Sequence, residues 1–271
     1  MTSLRAAVDT ILAALVGVVV TGGCALEQKM SLEVIDAPLR ARGIELKGSA
    51  GPGEGLHLGP YEVTQVERQR SQRGTELLPR ALPRPASYHQ LRFDVVAPEQ
   101  RRWHAQCEAQ RRQARNPDLA GELDESHDEV ALLCRFEGPD HDHWVLRLSG
   151  NIGRGLSGEL RAASETSKSS EAAAGDAAAP ASAGEAVAPG EAGALAFEAE
   201  VIVRRSFVRV VDRELPIAVV PLRRKKMAAA AMLLAAPERA WLAPGLAGPD
   251  RELAVVAMAA LRLLPVAHSE L

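Results

Sequence analysis

A mainly β chain closed by one hydrophobic helix is the fold class this sequence predicts. The strands and hairpins are antiparallel and form a barrel or a sandwich, with the C-terminal helix packed in or on it. Three observations carry the prediction. Apolar and polar residues alternate with period two over several short runs. Polar turn clusters separate those runs. The end of the chain, Leu253 to Leu264, carries only Arg262 as a charge.

In chain order, Leu32 and Val34, then Ile44 and Leu46 after Gly43, alternate with polar neighbours and read as strand. Leu56, Leu58, Tyr61, Val63 and Val66 continue the style across a Gly59-Pro60 break. Leu91, Phe93 and Val95 alternate with Arg92 and Asp94 until Pro98 ends the run. Residues 99–128 are rich in charge, and Arg101 to Arg115 fit strand or helix. Val130 to Phe136 and Trp144 to Leu148 flank a polar turn, Glu137 to His143, and read as a hairpin.

Residues 164–194 are almost all Ala, Ser, Glu, Gly and Pro, with Val187 as the one large apolar side chain. Such a stretch has nothing to bury and is expected to be a disordered linker or insertion. It divides the remainder into residues 24–163 and 195–271. The latter is short, so one domain with an insertion is expected in preference to two domains. Phe197, Ala199, Val201 and Val203 share one face of a strand. Phe207 to Val211 and Leu215 to Leu222 flank Asp212-Arg213-Glu214 as another hairpin. Arg223 to Lys226 makes a turn. Met227 to Ala236 is helical by the propensity of alanine but strand by its neighbours. Pro249-Asp250-Arg251-Glu252 opens the final helix with acids near its start, and Pro265 ends it. A helix apolar nearly all round must be enveloped by protein, and about 12 residues fall short of the roughly 20 that span a bilayer.

Short strands around Asp212, Trp241 before a Gly-Pro turn, and then the hydrophobic helix occupy residues 197–264. This pattern resembles the tubby-like fold shared with phospholipid scramblases. The resemblance implies a closed antiparallel barrel around a hydrophobic terminal helix, and by analogy a lipid-interacting protein. The Ala-rich run and the long insertion depart from it. An antiparallel sheet or sandwich with the helix on one face stays open as the alternative.

The N-terminus supplies an address. Arg5 precedes an apolar run from Ile11 to Val20, and Thr21-Gly22-Gly23-Cys24 follows. A basic start, apolar middle and small-residue cut site make a secretory signal over residues 1–23. Cysteine after two glycines resembles the lipobox of bacterial lipoproteins, although Thr21 replaces the usual Leu. That resemblance implies lipidation of Cys24 and a membrane partner through the lipid anchor. Ala25, in place of Asp, implies the outer membrane facing the periplasm. With Cys24 lipidated, Cys107 and Cys134 remain as an even pair. In an oxidising compartment such a pair is expected to bridge. Abundant Ala, and Arg in excess of Lys, fit a high-GC bacterial genome.

Net charge is −3, and it stays there after loss of Arg5 and Asp9, so no global attraction to nucleic acid exists. Asp140-His141-Asp142-His143 offers ligand types a metal uses, with His104 and His127 as distant partners. His141 and His143 are therefore weak metal candidates in what reads as a solvated turn, and no metal or other cofactor is expected. Glu122, Asp124, Glu125, Asp128 and Glu129 lack the internal glycine of a calcium loop. Gly153 to Gly158 spells G-x-G-x-x-G, but the disordered tract soon follows where a nucleotide fold needs a long helix. A hairpin turn is expected. No catalytic residue is assigned. The expected role is a non-catalytic binding or structural module of the cell envelope, with an envelope protein as a further partner. A periplasm-facing hydrolase or metal-dependent enzyme is the rival.

Overall fold

The computed structural model describes residues 32–50, 55–71, 86–112, 128–151, 155–163, 194–208, 213–234 and 238–264. The signal segment with Cys24, His127 and nearly all of the 164–194 tract lie outside these residues. A helix, α1 (Ala37–Arg42), leads into β1 (Ile44–Ala50), β2 (Leu56–Leu58), β3 (Tyr61–Ser71) and β4 (Ala86–Val96). A 3-10 turn at Pro98–Gln100 precedes β5 (Arg102–Arg112), β6 (Glu129–Glu137), β7 (His143–Asn151) and β8 (Gly155–Ala162). Then come β9 (Leu195–Val208), β10 (Arg213–Arg224), β11 (Met227–Leu233), β12 (Arg239–Leu242) and α2 (Gly248–Leu263).

Of the barrel and the sandwich that the sequence left open, the barrel is observed. Each strand pairs antiparallel with its neighbour in sequence, and β1 closes on β12 through Ile44↔Leu242 to Lys47↔Arg239. Closure leaves no strand edge to aggregate. Strands β8 and β9, on either side of the Ala/Ser/Glu/Gly/Pro tract, pair directly from Leu156↔Val201 to Leu160↔Phe197. Both parts of the chain therefore build the same barrel.

A ring of eight strands is just wide enough for side chains to fill. Twelve leave a wider lumen, and α2 occupies it. The helix contacts β5 on one side and β10 and β11 on the other, strands that face each other across the ring. Residues 254–261 are 0 % exposed on every face of the helix. Ala254, Ala257, Ala259 and Ala260 keep the helix thin enough for Phe93, Phe136 and Phe197 to enter the same core from the wall. Cys107 and Cys134 also face this core. They are direct cross-strand partners on β5 and β6, bonded with a Cα separation of 4.0 Å.

One expectation changes, and two readings left open are decided. Leu32 to Val34 form a helical turn and not a strand. With Ile35, and with Leu39 of α1, they cover Val219, Ala231, Leu233 and Trp241 on the outside of β10–β12. The alternation there is the footprint of one helical face. The Ala-rich run is strand β11 because both of its faces are covered: Ala230, Met232 and Leu234 meet the lumen core, and Ala231 and Leu233 meet the N-terminal cover. Doubly buried strands read as continuous apolar runs. Finally, β5 makes Arg102–Arg112 strand, and residues 113–115 of that run lie outside the described residues. Arg102, His104 and Gln106 face outward while Trp103, Ala105 and Cys107 face the lumen.

Candidate functional site

Among the described residues α2 fills the lumen with buried side chains, and the recess described here lies on the outer wall. The outer face of β3–β7 carries a groove of about 730 Å³ lined mainly by outward-pointing residues of five strands. Register brings them into rows. One row runs Thr64, Asp94, His104, Glu137, His143, each opposite the next on successive strands. The neighbouring row runs Glu67, Arg92, Gln106, Arg135, Val145. The sequence specifies this face by placing polar residues at every second position against an apolar inner set.

A β-bulge shapes one wall. Between Thr64↔Asp94 and Glu67↔Arg92 the register shifts, so Gln65 and Val66 together oppose Phe93. Gln65 adopts φ 53, in the left-handed region that a non-glycine residue enters at a cost. The bulged strand bends next to Asp94.

Asp94 is 6 % exposed although it lies on the outer face. Its Oδ1 accepts a hydrogen bond from His104 Nδ1 at 2.8 Å, and its Oδ2 lies 3.4 Å from Arg102 Nη1. An ionised carboxylate only accepts, so Nδ1 carries the proton and Nε2 is left for the groove. His141 Nδ1 meets Glu137 Oε1 at 3.3 Å. Arg101, at the rim, bonds Asp140 Oδ2 at 3.0 Å and Glu252 at 3.2 Å. The bond to Asp140, then that to Glu252, raises the Arg101 pKa above its usual value. At the other side, the Arg161 guanidinium bonded to Glu159 holds that carboxyl below its usual range.

The weak metal candidates His141 and His143 both line this groove, as does His104. Among the described residues no three His, Cys, Asp or Glu side chains come together to hold a metal ion. From the acidic cluster, Asp128 bonds Arg111 at 2.7 Å and Glu129 lies 3.9 Å from Arg112, and the other three members lie outside the described residues. Lys225 and Lys226 form the tight β10–β11 turn with φ 50 and 67, and Arg224 pairs with Asp250. Gly155 and Gly158 of the G-x-G-x-x-G stretch sit in β8, so the motif opens a strand and no helix. A Cβ on Gly158 would collide with the Arg147 carbonyl oxygen, which ties that glycine to strand packing.

Arg92, Asp94, Arg135, Glu137 and Arg147 went unassigned in the sequence. Their signal was present only as polar alternation, because the register that gathers them is a property of the closed sheet. No family model, curated protein or solved structure matches this chain. The fold and the groove define its class: a closed antiparallel barrel filled by its own helix, with a charged recess on the outer wall.

Proposed function

We propose that this protein is a non-catalytic binding module of the cell envelope, anchored through Cys24, whose binding face is the outer wall of β3–β7. The observation that carries the reading is the filled lumen beside an open, charged outer groove. The ionisable side chains that line the recess are carboxylates, imidazoles and guanidiniums, a set suited to polar recognition. His104 backed by Asp94 is a good hydrogen-bonding pair in such a surface. Its exposed imidazole serves recognition as readily as proton transfer.

Two measurements test the reading. Fatty-acid labelling of cells should mark the wild type and spare Cys24→Ala; equal labelling would remove the anchor. Amide exchange of the body mixed with envelope extract should slow in β4–β7 and stay unchanged in β1 and β12. Exchange that slows nowhere would remove the binding face.

A second reading, contact with a lipid surface, draws on the barrel end where odd-numbered strands begin. Ile44, Leu195 and Met227 are exposed there, Met227 at 72 %, beside Lys225 and Lys226. Vesicle flotation of wild type against Met227→Asp tests it. Equal flotation would dismiss it.

A further inference from the structure

We infer that the groove on β3–β7 binds a small multivalent oxyanion, gripped by Arg92 and Arg135 across Gln106. The inference deepens the binding-module reading and rests on it. Three observations carry it.

The first is charge left over. Two of the three groove acids are engaged: Asp94 holds His104 and Arg102, and Glu137 meets His141. Arg92 and Arg135 have no ion-pair partner among the described residues, though both are exposed and line the groove. Glu67 stands opposite Arg92 in register without closing an ion pair. Arg147, one step along β7, adds a third guanidinium, and its field is felt at Glu159. With Arg102 answering Asp94, these three guanidiniums outnumber the remaining groove acids, Glu67 and Glu137.

The second is spacing. Arg92 and Arg135 flank Gln106 on adjacent strands, which sets their backbones about 9–10 Å apart. Two long side chains from such positions converge over the residue between them. Gln106 offers a carboxamide at that point, and His104 lies two residues back on the same face of the strand. Guanidinium forks bind carboxylate and phosphate oxygens in pairs, so two forks suit a ligand with two or more oxyanion groups.

The third is shape. A recess of about 730 Å³ falls in the range of small-molecule sites. Half-buried Leu133 and Val145 give it an apolar patch beside the arginines. A flat bilayer cannot enter a recess of that kind, so the occupant is a soluble anion.

Calorimetry of the body with pyrophosphate and with citrate, at constant ionic strength, tests the assignment. Trp144 fluorescence supplies a second readout. Saturable one-to-one binding of at least one anion is expected. Arg92→Gln and Arg135→Gln should each weaken it about tenfold or more, since each removes a charge-assisted pair. Arg239→Gln, which deletes the same charge on β12 beside Glu45, should leave it unchanged. Thermal unfolding of each variant confirms that the fold is retained. The assignment is overturned by an absence of saturable binding to both anions, by equal weakening in Arg239→Gln, or by affinity for phosphatidylglycerol vesicles alone. Protection of β4–β7 by envelope extract together with no anion binding would overturn the oxyanion alone. Neither protection nor anion binding would overturn the binding face as well.

Discussion

Trp103 of β5 donates its indole Nε1–H to Glu252 Oε2 of α2 at 2.8 Å, fastening the barrel wall to the helix inside it. Both residues are buried, at 3 % and 8 % exposure. Arg101 reaches the same carboxylate from the rim, so the helix is held at its N-terminal end by a charge-assisted pair of contacts. Arg224 on Asp250 and Glu238 on Arg262 tie the helix at its two ends as well, but neither of those contacts reaches as deep into the core. Glu252→Leu preserves packing volume but leaves the Trp103 N–H buried without its acceptor, which costs about 1–3 kcal/mol. Glu252→Gln keeps an acceptor and should cost less. Urea unfolding midpoints rank the two; an unshifted midpoint for Glu252→Leu would show that the bond does not hold the helix.

The disulfide is a second fastening. Leu91 and Leu146 flank the Cys107–Cys134 pair in the same row, and both sulfurs are sealed in the core. The bridge closes 27 positions of chain. In the chain-entropy account a loop of that length is worth about 3–4 kcal/mol. The double variant Cys107→Ala, Cys134→Ala should lose stability of that order. Thiol trapping of the denatured wild type without reductant should leave both residues unlabelled. Labelling at both would show them reduced.

The hairpins at Glu137–His143 and Arg223–Lys226, and the helix at Leu253–Leu264, were legible because each obeys a local rule: turn chemistry, alternation or an all-round apolar face. Closure was harder to read. Met227 to Leu233 looks helical until both of its covers, α2 and α1, are in place. Leu32 and Val34 look like strand until Ile35 and Leu39 show that one helical face meets the sheet. In β5 the small inward residues Ala105 and Ala109 muted an alternation that the exposed Arg102, His104 and Gln106 kept in charge. The groove was hidden most deeply. Arg92, His104 and Arg135 are far apart in sequence, and only the register across β4, β5 and β6 makes them neighbours.

His89 introduces a pH dependence. Burial pushes its pKa below the ordinary 6.5, and the positive charges of Arg70 and Arg111 push it further down. Its Nε2 is buried without a hydrogen-bond partner among the described residues. The folded state therefore resists protonation that the unfolded chain accepts. Stability is full above 6.5 and declines as pH falls from there toward the lower folded value, because the unfolded state binds more protons in that window. His89→Gln removes the titration. The unfolding free energy of the wild type should fall more steeply than that of the variant between about pH 7 and pH 5. Parallel curves would show that His89 is protonated equally in both states.

The strongest demand on the fold falls on Leu261. It sits near the end of α2 at 0 % exposure, with Val256, Ala257, Met258 and Ala260 equally sealed around it. Removing its side-chain methyls leaves a cavity that a closed barrel cannot collapse to fill, because the surrounding wall is hydrogen-bonded around the full ring. Leu261→Ala should cost about 2–5 kcal/mol. A domain holds only about 5–15 kcal/mol in total. Leu261→Asp adds a carboxylate with no water to solvate it, and should prevent accumulation of soluble protein. Single changes within residues 164–194, a tract with almost nothing apolar to bury, should leave yield and protease resistance unaltered. The comparison is soluble yield and the rate of limited proteolysis for Leu261→Ala, Leu261→Asp and Val187→Asp. A tolerated Leu261→Asp would mean that the helix can leave the lumen, and the barrel would then need another filling.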